Sequence, residues 1–490
     1  MQKRFVLILI LWSTTWIVIA QDTIRVEIDQ KYNDPQPEVV SAGVFGVVLL
    51  EHKRDMSPGI MNLIHYDTVL EKRWEQEFPF TKKLDLVDHI VERDKLYMVF
   101  NDEYEETLEV AVADLSVKQV NVFHFPYFNR FDIKEMCVKN GEVYIAGMLR
   151  KLPAAIRLNL KELLLTSLPM AINGDRIEIE DMFVAKNERV SVTIAFQQRR
   201  NKEVLIKEFD EDNISDDLLI TPTEEYDLVN GKVSHLGSKS KIVIGTYGYR
   251  NSDATQGFYI AGFYQNQEVF KKYHHFNDLD NFYSFKSDRE QERIEEIIEK
   301  KKSQGREYKS KYRIMTHEVI SQGGNYLMLG EAYYPTYRQQ RVRRYSPRGY
   351  YYETKIVFDG YKYTHAVVVA FNKKGDIIWD YSFKINDIKS MELKEHVRVN
   401  STNEITKLVY NLEGKMNIMT IRNGKMESKD ENIALPSKYE NDQVKYSDLG
   451  QSEHWYGNHY LAWGYQRIRN IEGKGSNKKR NVFYINKLTF

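Results

Sequence analysis

The chain has almost no cysteine: Cys137 is the only one in 490 residues. An intrachain disulfide is therefore excluded, and stability must come from burial, which a chain of this length can supply. Net charge is also missing. Lys and Arg together number 70, matching 70 Asp and Glu, so the chain is not globally basic and a nucleic-acid partner is not expected. Past residue 20 no stretch approaches the roughly 20 apolar residues that a membrane-spanning helix needs. Helical periodicity is nearly absent throughout. So are the short catalytic signatures: no phosphate-binding Gly-rich loop, no Gly-x-Ser-x-Gly elbow and no His-Glu-x-x-His. His274 and His275 are neighbours in a strand-like run, which sends them to opposite faces and away from a shared metal. Asp210, Asp212, Asp216 and Asp217 lack the ligand spacing of a calcium loop. No metal and no cofactor is expected.

The first informative presence is the N-terminus. Lys3 and Arg4 precede an apolar run that continues to Ile19 with a break at Ser13, Thr14 and Thr15, and Val18-Ile19-Ala20 fits small-residue cleavage. Residues 1–20 therefore read as a secretory signal cleaved after Ala20. Removing Lys3 and Arg4 leaves a charge of about −2. No cysteine follows the cleavage site, so a lipid anchor is not indicated. The expectation is an exported protein, periplasmic, cell-surface or secreted. Its Lys-, Tyr- and Asn-rich composition points to a bacterial envelope.

Residues 21–490 read as one all-β domain. The clearest strand pair lies at 363–385, where Val367, Val368 and Val369 lead into the turn Asn372-Lys-Lys-Gly375 and then into Ile377, Ile378, Trp379, Tyr381 and Phe383. Four-strand units are clearest at 84–126 and 131–170, and further units occupy 177–224, 227–276, 313–385 and 392–436. A first unit near 42–79 lacks a leading strand, and a last near 443–490 lacks a closing one. Gly147, Gly245, Gly330 and Gly464 recur at one register of the second strand, and Gly147 to Gly245 covers two units of about 49 residues, the length of a propeller blade. The expected architecture is a single β-propeller of about eight four-stranded blades, with seven or nine as alternatives. The N-terminal strand at 23–29 supplies the missing last strand and closes the ring. Two smaller propellers or an array of β-sandwiches are the rival architectures.

Ala370-Phe-Asn-Lys-Lys-Gly375-Asp-Ile-Ile-Trp379 resembles the blade repeat of quinoprotein-type (PQQ-like) propellers, in which a Gly-x-x-x-Trp turn and strand docks each blade on its neighbour; Asp67 to Trp74 is a looser match. The resemblance implies the propeller fold. The quinone enzymes of that family carry an adjacent cysteine pair that this chain lacks, so the resemblance points to the members that scaffold envelope proteins.

Two insertions interrupt the repeat. Residues 277–311 contain one helix, 288–302, with the capping box Ser287-x-x-Glu290 and Lys300, Lys301 and Lys302 at its end. Residues 336–362 carry Arg338, Arg341, Arg343, Arg344 and Arg348 interleaved with Tyr337, Tyr345, Tyr350, Tyr351 and Tyr352. Arginine pairs in a plane with carboxylate, sulfate or phosphate, and tyrosine gives amphipathic contact area. This segment, read as a loop, is the expected surface for a protein partner or an anionic glycan. In a four-stranded blade it leaves from the same rim as 277–311 and the basic turn at 469–480. The expected role is a binding or scaffolding module, not an enzyme. The alternative is a propeller hydrolase or lyase acting on polysaccharide or peptide from the central channel, with Glu331 as the candidate channel carboxylate.

Overall fold

Strand-rich sequence with turn chemistry between the strands folds here into eight antiparallel sheets of four to six strands. A computed structural model describes residues 24–490 apart from 33, 54–57, 103, 128–129, 186, 236–238, 251, 253, 348 and 473–477. The signal-like segment 1–20 lies outside the described residues. Blades 1 to 7 span 38–80, 85–126, 131–168, 175–220, 226–275, 313–384 and 398–434. Blade 8 takes its inner strands from 442–489, and its outermost strand is Ile24–Asp29 from the other end of the chain. Ile24 pairs with Lys487 and Asp29 with Val482, so the ring closes as the sequence pattern implies.

The burial pattern explains why the middle strands read as continuous apolar runs. Val190–Gln198 buries its first seven residues on both faces, because blades pack against it from each side. The outer strand Lys72–Phe80 alternates instead, with one face in water. The core is correspondingly divided. Eight apolar clusters each bridge a pair of adjacent blades, the last joining Val47, Leu49 and Ile64 of blade 1 to Leu461, Phe483 and Ile485 of blade 8. Trp379 packs on the cluster between blades 6 and 7, with Gly424 of the neighbouring blade against its ring.

The recurring glycines mark a close approach of backbone. A Cβ at Gly147 would sit 2.3 Å from the carbonyl oxygen of Asp132, and one at Gly245 2.1 Å from that of Asn230. In both blades the innermost strand is irregular at that level. It bulges between Ile133 and Glu135 in blade 3 and breaks between Tyr226–Leu228 and Lys232–His235 in blade 5.

Two expectations need correction. Blade 1 does have a leading strand, Glu38–Ser41, only four residues long and hidden behind Pro35 and Pro37. The Arg/Tyr segment is not a loop. The second and third strands of blade 6 continue far past the blade, as Asn325–Ser346 and Gly349–Phe371, and pair all the way to Ser346 and Gly349. The result is a two-stranded β-arm.

The other insertion is fastened at its root. Asp380 of blade 6 accepts the backbone N–H groups of Asp280 (3.0 Å) and Asn281 (2.8 Å), and the Ser382 hydroxyl donates to the Phe282 carbonyl (2.7 Å). The helix Asp288–Ser303 has the expected capping box and buries none of its residues. Below it the His365 ring stacks on Phe285, centroids 3.7 Å apart and 6° from parallel, with no solvent exposure. Burial, aided by Lys286, pushes the His365 imidazole down to about 3. A depressed base is neutral in the fold, so its contribution is complete above the unfolded value near 6.5 and drains away as pH falls toward 3. Between pH 7 and pH 4 the native chain should therefore lose on the order of 3 kcal/mol of stability relative to His365→Phe, which keeps the stack and cannot protonate. Parallel urea titrations at the two pH values measure this. Equal losses in both proteins would contradict it.

Candidate functional site

Antiparallel pairing sorts the arm's side chains onto two faces, because directly opposed residues share a face and the faces alternate. One face holds Tyr337 opposite Phe358, Gln339 opposite Ile356, Arg341 opposite Thr354, Arg343 opposite Tyr352, and Tyr345 opposite Tyr350. The other holds Arg338 opposite Val357, Gln340 opposite Lys355, Val342 opposite Glu353, and Arg344 opposite Tyr351. The sequence-level site residues are thus divided, and Arg348 lies outside the described residues.

The two faces differ in chemistry. On the second, each arginine has found a carboxylate: Arg344 pairs with Glu353 at 2.6 Å and Arg338 with Asp359 at 3.3 Å. On the first, no acidic residue is present. The Arg343 guanidinium lies 3.9 Å over the Tyr350 ring, a cation–π contact that leaves its charge uncompensated. Tyr345 meets Tyr350 edge to face at 5.3 Å, and Tyr337 meets Phe358 at 6.0 Å. These side chains stand in water: Tyr345 is 73% exposed, Tyr352 69% and Ile356 74%. Exposed rings thus stand at both ends of this face, Tyr337 with Phe358 and Tyr345 with Tyr350 and Tyr352, and Arg341 and Arg343 share it. The arm joins the second and third strands of its blade, so it leaves the ring from the rim that also carries 277–311 and the 469–480 connection.

Glu331 does not face the channel. It is fully buried, and its Oε1 accepts His317 Nε2 at 2.9 Å and the backbone N–H groups of His396 and Val397 at 2.9 and 2.8 Å. This carboxylate ties blade 6 to the entry of blade 7. Its strand is the second of the blade, one removed from the axis.

The axis is lined by residues that belong to no catalytic signature in the sequence. Every innermost segment brings at least one titratable side chain into mutual electrostatic range: Glu38, Asp88 with His89, Glu135, Glu180 with Asp181, Lys232, Glu318, Glu395 with Arg398, and Glu453. His89 Nδ1 stands 3.3 Å from Glu38, and Lys232 Nζ 3.5 Å from Asp181. Bulges after Leu86, Ile133 and Ile179 help to turn these groups inward. Burial pushes Glu135 and Glu180 up to about 7, with Lys232 pulling the other way, and burial raises Asp181, Glu318 and Glu453 as well. Among the described residues no three His, Cys, Asp or Glu side chains are arranged to hold a metal ion. A sequence signal for this ring exists: acid, then His or Met, then an apolar residue recurs as Asp88-His-Ile, Glu135-Met-Cys, Asp181-Met-Phe, Glu395-His-Val and Glu453-His-Trp. His274 and His275 do diverge, one to the Gly375 carbonyl at 2.8 Å and the other to the Tyr226 hydroxyl at 3.2 Å.

Eight antiparallel sheets, joined in a ring by the two ends of the chain, define a β-propeller. No family model and no curated protein matches the chain. Solved propeller structures do align along most of it. The β-propeller domain of the Trilobed protease from Pyrococcus furiosus is 9% identical, with 81% of this chain and 95% of that chain covered and a TM-score of 0.36. Apo AztD from Citrobacter koseri is 9% identical, with 85% and 94% covered and a TM-score of 0.38. The polysaccharide lyase Uly1 is 8% identical, with 82% and 89% covered and a TM-score of 0.40. At such scores these likenesses carry no argument about activity or ligand.

Proposed function

We propose that this chain is an exported β-propeller that serves as a binding or scaffolding module, capturing an envelope component on the aromatic face of its β-arm. The observation that carries this reading is the asymmetry of the arm. One face neutralises its own arginines, while the other leaves Arg341 and Arg343 without a carboxylate beside a row of exposed rings. Arg and Tyr are the residues that dominate the energetics of contact surfaces. The signal-like N-terminus supports export, and the quinoprotein-type repeat resemblance around Gly375 and Trp379 agrees with a scaffolding role. Excision of 338–357, joining Tyr337 to Phe358 (opposed in register) through a two-residue turn, should leave the melting temperature of the ring unchanged and abolish capture from an envelope extract. Undiminished capture would defeat the reading.

A second reading rests on the axial ring. Glu135 and Glu180 are both raised to about 7, which suits general acid–base chemistry near neutral pH. A hydrolase or lyase on this chain would work there, with Glu135 and Glu180 rather than Glu331 as its carboxylates.

A further inference from the structure

We infer that the aromatic face of the arm binds a linear polysaccharide bearing uronate carboxylates. This rests on the reading of the arm as the capture surface and adds the class of ligand. The charge on that face comes from Arg341 and Arg343, two positions apart on one strand, and no acid shares the face. The ligand is therefore an anion. Elsewhere on the arm the guanidinium groups of Arg344 and Arg338 pair with carboxylates, those of Glu353 and Asp359. Carboxylate and guanidinium are both planar and match in a two-bond fork.

The dimensions select the form of the ligand. From Tyr337 to Tyr345 the strip runs about 27 Å, and two strands make it roughly 10 Å wide. A narrow chain lying along the ribbon uses the whole length of it. Tyr345 and Tyr352 offer ring faces to sugar C–H groups and hydroxyls to sugar oxygens, and Ile356 and Phe358 add exposed apolar surface.

Isothermal titration of the full chain with oligogalacturonate and with alginate oligosaccharides tests this, using cello-oligosaccharide, dextran sulfate and poly-glutamate as comparison probes. The expected result is saturable binding of at least one uronate oligosaccharide. It should weaken about tenfold or more in Arg341→Ala/Arg343→Ala, weaken in Tyr352→Ala, and be unchanged in Arg338→Ala/Arg344→Ala. It should fall with added salt. Absence of uronate binding, or binding indifferent to Arg341 and Arg343, overturns the inference. Dextran sulfate binding as tightly as the uronates overturns the carboxylate assignment, and poly-glutamate binding as tightly through the same arginines moves the site to acidic proteins. If uronates fail while arm-dependent capture persists, only the ligand class is wrong. If capture survives excision of the arm, the underlying reading fails as well.

Discussion

Arg480→Ala should unfasten the ring. The propeller closes by pairing its first described strand with its last, and a buried ionic clasp fixes that pair. Arg480 donates to Glu27 at 2.8 and 3.2 Å and to Asp442 at 2.8 Å, with a further Asp442 contact. Glu27 is held from its other side by Arg25 at 2.8 Å, and Arg25 in turn donates to Asn486, Gln466 and the Pro436 carbonyl while lying 4.7 Å over the Tyr484 ring. Glu27 and Arg25 are nearly solvent-free, and Asp442 entirely so. Burial opposes ionisation of Asp442, but hydrogen bonds from Arg480 and Asn470 outweigh it and keep the carboxyl below its ordinary range. Removing the one cation that joins both acids leaves Asp442 buried without a cation and Glu27 with Arg25 alone, a loss of about 3–5 kcal/mol. Urea unfolding should show it, and hydrogen exchange should rise first along Ile24–Asp29 and its partner Lys479–Thr489. Arg480→Lys keeps the charge without the fork and should fall between. Wild-type stability in Arg480→Ala would mean that the clasp does not hold the ring shut.

Glu331 offers the second large effect. Its Oε1 gathers three donors from two blades, His317 and the backbone of His396 and Val397, while its Oε2 has no partner among the described residues. Glu331→Leu strands all three donors in a dry site and should cost about 3–5 kcal/mol. Glu331→Gln keeps an acceptor oxygen for the three donors but puts an amide NH2 where Oε2 has no partner, so about 1–2 kcal/mol is expected. The graded order, read from chemical unfolding, separates a hydrogen-bonded tie from a simple packing defect, for which Leu would be the milder change. Loss of any activity in Glu331→Gln would accordingly report on the joint between blades 6 and 7.

Much of the ring was legible because its physics is local. Turn residues such as Asn372 and Gly375, the apolar middle strands and the glycines opposite irregular inner strands all leave marks within a few residues. Closure was legible too, since the pattern 24–29 alternates like a strand with no neighbour to pair. What escaped depends on register. The arm's Arg/Tyr composition is visible, but its extension as a ribbon follows from pairing of 337–346 with 349–358, and only that pairing separates Arg341 and Arg343 from Arg338 and Arg344. The axial ring escaped for a related reason. Its acids come one blade at a time from short, bulged strands, and single carboxylates about 45 residues apart look like solvated surface until the ring gathers them. Glu331 misled because an acid after Gly330 in an apolar strand implies a special environment, and sequence cannot say whether that environment is a channel or a blade joint.

The most direct test sets the two faces of the arm against each other. Arg341→Glu/Arg343→Glu and Arg338→Glu/Arg344→Glu make the same change in charge, within one exposed hairpin, on opposite faces. Quantitative capture from an envelope extract at fixed ionic strength should be lost in the first variant and largely retained in the second, with both melting like the native chain. Equal loss in the two would reduce the arm to a diffuse positive charge, and retention in the first would remove its aromatic face from function.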